Sequence, residues 1–347
     1  MSQDKTAELA EQVKQAHDQG TPLAIHGGGS KHFLGQPLTG ETLDVTGHQG
    51  IVNYQPVELV MTVRAGTPLA EVKAALAEKG QCLAFEPPAF GPKATIGGTI
   101  ATGVSGPARP YTGAARDYML GVRMINGQGE ALRFGGEVMK NVAGYDVSRL
   151  VTASHGILGV ITEVSLKVLP QPKAVTTHQF ECTAEQAVQQ FNQWAGQPLP
   201  ITATAWADGQ AYVRLAGAAS AVRAASSQMP GAVIEDSPWD SFAELSHASV
   251  QGKTPLWRLS VPQTAALDLQ CPLIEWGGAQ RWYAGDMEAG ALREKVAAVG
   301  GHATLYRGEQ APVFHPLEPA MHKLQQRIKA SFDPKGLFNQ GRFYPEF

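Results

Sequence analysis

Two clusters of glycine and small hydroxyl residues carry most of the chemical information in this chain. The first, "LAIHGGGSKHFLG" at 23–35, sets Gly27, Gly28 and Gly29 directly after a short apolar run. Three adjacent glycines forfeit conformational entropy on folding. Either the segment is a loose surface loop, or something comes so close to this backbone that no side chain fits. The second cluster, "GPKATIGGTIATGVSGPARPYTGAARDYMLGVRMI" at 91–125, interleaves Gly97, Gly98, Gly103, Gly106 and Gly113 with Thr95, Thr99, Thr102 and Ser105. Bare amides and small hydroxyls at that density can hydrogen-bond a polyanion. A diphosphate fits best, because no cluster of Lys or Arg accompanies them. Two familiar nucleotide signatures do not match. A P-loop needs G-x-x-x-x-G-K-[ST], which neither cluster supplies. A Rossmann fingerprint needs G-x-G-x-x-G opening a helix, with an acidic residue further on.

Residue spacing locates the helices and strands that carry these loops. Residues 4–17 form an amphipathic helix with Leu9, Val13 and Ala16 on one face, stopped by Gly20. "PLAIHGGG" is a buried strand entering the first loop. Residues 41–66 continue as strands broken at Gly50, Pro56 and Gly66. "TPLAEVKAALAEKG" is a helix with Thr67 as N-cap, Pro68 at its first position and Gly80 at its end. "YMLGVRMINGQGEALRF" reads as two strands joined by a tight turn at Asn126-Gly127, and "HGILGVITEVSLKVLP" as a further β-run ending at Pro170. After the linker 170–173, helices alternate with hairpin-like pairs, one of them turning at Asp208-Gly209. That alternation predicts an α+β domain with an antiparallel sheet. The chain ends in a helix and a Pro/Gly-rich tail.

Bulk properties narrow the classes. The 347 residues are 43% hydrophobic and 17% charged, with 28 basic and 31 acidic side chains and a net charge of -3. This is a globular composition without the basic footprint of a nucleic-acid binder. No apolar run reaches the roughly 20 residues needed to span a bilayer, and the polar N-terminus is not a secretory signal. Cys82, Cys182 and Cys271 are few, odd in number and scattered. They cannot form an iron–sulfur cluster within the chain, and a reducing cytoplasm is the natural setting.

Taken as an ordered set, "HGGGSK", "ATIGGTIATGVSGPARPYTGAARDYMLG", "KNVAGYDVSRL", "GILGVITEVSLKVLP" and "FNQGRF" resemble the FAD-binding domain of the vanillyl-alcohol oxidase, or PCMH, type. Among its members the chain is most similar to the shorter FAD-binding subunits of bacterial 2-hydroxyacid (glycolate) dehydrogenases. The resemblance implies a PCMH-type domain of two α/β subdomains at 1–172, a small antiparallel α+β cap at 173–310, and a segment at 311–347 returning to the flavin. It implies that Gly27, Gly28, Gly29, Ser30 and Lys31 wrap the pyrophosphate. Thr95, Gly97, Gly98, Thr99, Thr102, Ser105 and Gly106 would line the other side and the flavin. Tyr111, Gly113 and Asp117 would follow the cofactor outward, Val160 and Ile161 would contact the adenosine, and Asn339 and Arg342 would bring a positive charge to the ring. Members with covalent flavin carry His where Ser30 stands, so FAD is expected to be non-covalent. The H-x-x-D-G-N-x-H metal motif of related 2-hydroxyacid dehydrogenases is missing; "GGHATLYRG" holds a lone His302. The substrate would then be oxidised within a complex that includes a larger FAD-binding subunit and an iron–sulfur subunit, cytoplasmic or peripheral at the inner membrane through its partners. A self-sufficient flavoprotein oxidase or dehydrogenase and a non-catalytic FAD-fold scaffold are the competing readings.

Other residues read less sharply. His155 is a candidate base or a structural histidine, and His26 and His32 are candidates for phosphate contact or for holding the turn. Lys140, Asn141, Tyr145 and Asp146 could orient a substrate, or begin a helix whose Val142, Val147 and Leu150 enter the core. Lys93, Arg116 and Arg123 read as surface charges or ion-pair members. Trp206, Trp239, Trp257, Trp276 and Trp282 read as the core of the second domain, with any exposed member an interface anchor.

Overall fold

The 3.6-residue spacing of Leu9, Val13 and Ala16 produces a helix over Thr6–Gln19 that buries those three side chains, and Gly20 ends it in the left-handed conformation. The computed structural model describes residues 3–136, 145–309 and 312–347. Lys140, Asn141 and Val142 lie outside the described residues. Strand Leu23–His26 runs parallel to Glu41–Asp44 and is bridged at Leu23 by Phe338 near the other end of the chain. Leu9, Val13, Leu23, Leu43 and Phe338 share one small core.

A five-stranded antiparallel sheet follows, in the order Ile51–Gln55, Val60–Arg64, Val160–Lys167, Met119–Ile125, Ala131–Gly135. The central strand Val160–Lys167 is buried at seven consecutive positions, as expected of a strand covered on both faces. Helices Leu69–Ala77 and Ile96–Thr102 contribute Leu69, Val72, Leu76, Ile96 and Ile100 to the core they share with Met61, Val122 and Val164. Three local readings need correction. Thr67 does not cap the first of these helices. Its Oγ1 accepts from Gly50 N at 2.8 Å and donates to Arg64 O at 2.7 Å, joining two loops. The Asn126-Gly127 connection is a longer loop, in which Asn126 Oδ1 accepts from Gln128 N and Glu130 N and Gly129 supplies the positive φ. Leu150 is exposed, whereas Val147 is buried.

The second half is built on an eight-stranded antiparallel sheet. Asp208 and Gly209, both at positive φ, close the hairpin of Ile201–Ala207 and Gln210–Gly217. That is the two-residue turn whose twist matches the flanking strands. Thr183 and Gln186 form a reciprocal capping box on helix Ala184–Ala195. One sheet face buries Trp257, Leu259, Ile274 and Leu305 against Leu292 and Val296 of helix Ala289–Ala297. The opposite face carries Leu256, Leu273, Trp282 and Tyr306, packed with Trp239 and Phe242, and Leu34 from the first glycine loop joins that cluster. Trp239, Trp257, Trp276 and Trp282 are all buried, so they serve as core.

The C-terminal segment crosses back. Helix Pro319–Phe332 is followed by a turn fixed by buried Lys329, whose Nζ donates to Asp333 Oδ2, Ile157 O and Phe338 O. Asp333 in turn accepts from Leu337 N and Phe338 N. This polar knot delivers Asn339 and Arg342 to the glycine loop.

Candidate functional site

The strand Leu23–His26 ends at the glycine triplet, and the turn before helix Ile96–Thr102 lies against it. A Cβ on Gly28 would sit 1.4 Å from Lys93 O and 2.5 Å from Lys93 C. A Cβ on Gly27 would lie 3.0 Å from Thr95 Oγ1. The first loop is therefore bare partly because the second loop of the same chain occupies the space, which the sequence had suggested only for a ligand. Gly29 adds a φ of +73°. Thr95 caps the helix by accepting from Gly98 N, so both loops are held in register.

Between them runs a narrow groove lined by Gly27, Gly28, Gly29, Ser30, Lys31, Thr95, Gly98, Thr102, Asn339 and Arg342, together with Ile25, His32, Leu38, Ala101 and His155. Among the described residues, no protein group accepts from the backbone N–H groups of Gly28, Gly29, Ser30 or Lys31. Folded chains pair nearly all such groups with protein or water, and successive free amides on a concave loop are an anion cradle. Among the described residues, no carboxylate lines the groove. The donor set thus fits a diphosphate.

Asn339 and Arg342 act as struts. Asn339 accepts from Ile25 N and donates to His155 O, both at 2.8 Å. Arg342 donates to His32 O at 3.1 Å and also to Gln36 O and Lys31 O. Burial pulls its guanidinium down to about 10, and no carboxylate among the described residues forms an ion pair with it. Lys31 lines the groove, but its ammonium is engaged elsewhere. Its Nζ donates to Ala89 O at 3.2 Å, and burial is the main cause lowering its ammonium to about 8.

The other expected residues lie outside this groove. Gly97 donates to Ala65 O, and a Cβ there would meet Ala65 Cβ at 2.6 Å, so it lets the helix approach the sheet. Thr99 is fully buried and donates to Thr95 O. Ser105 accepts from Ala115 N. Gly106 packs on Glu86 O and accepts from the Trp276 indole. Tyr111 hydrogen-bonds Thr204 of the second sheet. Gly113 sits at φ +105° beside Asp117, which accepts from Ala114 N. Val160 and Ile161 are buried in the central strand, paired with Ile125 and Met124. Tyr145 and Asp146 are exposed, and Asp146 pairs with Arg149 at 3.1 Å.

The groove continues into a cavity of about 690 Å³ between the two halves, and Thr102 and His155 line both spaces. His155 is held edge-on by Phe314 and Phe343 at 5.2 and 5.0 Å. Burial, with Arg342 nearby, pushes it down to about 3, so it is neutral at physiological pH. Its Nδ1 and the neighbouring Ser154 Oγ are buried without a protein partner. Such atoms are costly unless something else satisfies them. The far wall comes from the second sheet and the tail, including Arg258, His302, Thr304, Tyr306 and His315. Sequence reasoning missed most of that wall. The available signal was Arg258 itself, a charge set between tryptophan and leucine in the strand Leu256–Ser260.

The FAD binding domain family matches residues 3–135. The glycolate oxidase subunit GlcE of Escherichia coli is 45% identical over 99% of this chain and 98% of its own length. A D-lactate dehydrogenase of Anaerostipes hadrus is 32% identical, over only 49% of this chain and 36% of that enzyme. Among solved structures, an alkyldihydroxyacetonephosphate synthase superposes with a TM-score of 0.67 at 16% identity, covering 96% of this chain and 75% of that one. This last likeness speaks to the fold alone. No helix among the described residues is long and apolar enough to cross a membrane. By its full-length match, the chain belongs to the family of the glycolate oxidase subunit GlcE, within the FAD-binding proteins of the PCMH type.

Proposed function

We propose that this chain is the FAD-binding subunit of a multi-subunit 2-hydroxyacid dehydrogenase that oxidises glycolate to glyoxylate. One observation carries the reading: four consecutive backbone amides without protein acceptors line a carboxylate-free groove that opens into a larger cavity. FAD, when bound, supplies the two-electron acceptor for oxidation of the substrate α-carbon. The chain's residues would hold the diphosphate through the amides of 28–31, with Thr95 and Thr102 beside it. Asn339 and Arg342 keep the loop in place, and Phe314 and Phe343 limit the access of water to His155. The remaining expected contacts, from Gly97 to Ile161, would lie along the cofactor beyond the groove.

Ser30 in the first loop and the absence of cysteine from both linings support non-covalent binding. Cys82, Cys182 and Cys271 are free and dispersed, so an iron–sulfur partner would take the electrons, alongside a larger FAD-binding hydroxyacid dehydrogenase subunit. Two relatives, GlcE and the Bacillus subtilis GlcD, are named as glycolate oxidase subunits, which supports a multi-subunit assembly. The complex would be cytoplasmic, reaching the inner membrane only through its partners. In this reading 1–172, 173–310 and 311–347 are the FAD domain, the cap and the returning segment. The test is the visible spectrum of the purified chain, alone and with its partners, followed by identification of the chromophore released on denaturation. Stoichiometric, freely extractable FAD is expected. A colourless chain that also refuses added FAD would refute the assignment.

A further inference from the structure

The far wall of the cavity holds a cation, Arg258, whose nearest electrostatic partner is the buried Glu275 and which forms no direct ion pair among the described residues. Arg258 lies on strand Leu256–Ser260, opposite Thr304 on one side and Trp282 on the other. Directly paired residues project from the same face of a sheet, here the face turned to the FAD half. Its Nη1 donates to Tyr306 Oη at 3.1 Å. The guanidinium lies over Trp276 and Tyr306, at 5.7 and 5.9 Å from the ring centroids. Arg109 lies over the same Trp276 ring at 4.7 Å. Among the described residues, no carboxylate forms an ion pair with either arginine, and the one carboxylate lining the cavity is the exposed Glu318. Aromatic stacking fixes a guanidinium but leaves its charge in place, and most of its five N–H donors remain free. His302 and His315 stand on the same wall with ring centroids 6.4 Å apart. Both are held below the ordinary histidine value, chiefly by burial, so at neutral pH they serve as neutral hydrogen-bonding groups.

We infer that Arg258, with Thr304, Tyr306 and the His302–His315 pair, forms a recognition site for the carboxylate of a small 2-hydroxy acid. The anion would be held on the cap wall, and the rest of the molecule would face Thr102 and His155 across the cavity. The substrate class rests on the dehydrogenase reading above; the anion site itself rests on the cavity. A planar, pre-oriented guanidinium suits a carboxylate because it offers two parallel donors.

The test is isothermal titration of the full chain, with and without FAD, using glycolate, D-lactate, acetate and the neutral isostere glycolamide. The wild type is expected to bind glycolate and not glycolamide. Arg258→Met should weaken glycolate binding about 10- to 100-fold, the loss of a charged hydrogen-bonding partner, while Arg258→Lys restores part of it. Flavin content and melting temperature identify any variant that has not folded, and Thr304→Val then provides a milder perturbation. Unchanged glycolate affinity in a folded Arg258→Met chain would overturn the site. So would failure of the wild type to bind any carboxylate of the set. Arg258-dependent binding of lactate or acetate without glycolate would support the anion site and refute the glycolate reading.

Discussion

Gly28→Ala tests the architecture of the cofactor groove with a single methyl group. The new Cβ would lie 1.4 Å from Lys93 O, whereas ordinary contact begins near 3.4 Å. The obstruction is backbone on both sides, so no rotamer change relieves it. One loop must retreat by about 2 Å, and overpacking of this kind costs about 1–3 kcal/mol in stability. The effect on binding should be larger. A shift of that size takes the amides of 28–31 out of hydrogen-bonding range of any anion seated between the loops. Hydrogen bonds to charged groups contribute about 1.5–3 kcal/mol each. Losing two of them weakens binding by about 10²- to 10⁴-fold. The assay is FAD content of the purified variant, followed by titration of the apo chain with FAD and melting curves at several FAD concentrations. Ligand-linked stabilisation should shrink in step with affinity. Ser30→Ala, which leaves the backbone alone, should keep most of the affinity. A Gly28→Ala chain that retains stoichiometric FAD and melts like the wild type would refute the two-loop cradle.

Asn339→Ala removes the acceptor of Ile25 N and the donor to His155 O at once. Two backbone groups left unpaired cost about 2–5 kcal/mol, to be read from urea midpoints, and FAD affinity should fall with them. Glu275 is buried, and its Oε2 accepts from both Gln280 Nε2 and Trp282 Nε1. Burial raises its carboxyl from 4.5 to about 6, so the folded chain binds a proton more tightly than the unfolded chain does. Its contribution is fully present below pH 4.5 and is lost as pH rises through 6. The loss amounts to about 2 kcal/mol. Glu275→Gln keeps one oxygen for both donors and should flatten that dependence, as measured by denaturation between pH 4 and pH 8. An unchanged pH profile in the variant would show that Glu275 is not the titrating group.

What the sequence made legible was mostly local. Apolar spacing located the helix that became Thr6–Gln19, and Asp208-Gly209 announced its hairpin because both positions need positive φ. The order of the glycine motifs was enough to identify the FAD-binding family. Thr67 was misread because a threonine before a proline looks like a cap. Only the tertiary fold shows that Gly50, seventeen residues earlier, claims its hydroxyl. For Gly97 and Gly106 the sequence shows that the backbone must be bare, but not whether a ligand, a strand or the Trp276 indole is the neighbour. The cavity wall was the least visible part. Arg258, Tyr306 and His315 come from three separate segments, and only the pairing of Leu256–Ser260 with His302–Arg307 brings the first two together.

The tail explains why groove and cavity must form together. Asn339 and Arg342 hold the glycine loop, while Phe343, one residue on, stacks on Phe314 at 4.4 Å and closes around His155. The same short segment therefore sets the proposed diphosphate cradle and the floor of the larger cavity. It is anchored in turn by Lys329 and Asp333, a buried pair that also engages Ile157 O. Displacing one end displaces the other, because packed interiors shift as units more readily than they stretch. An anion arriving at the cap wall and a diphosphate arriving at the cradle thus press on one common element. Occupancy of the cradle should make the cavity wall better ordered for its own ligand, and by linkage the preference is mutual.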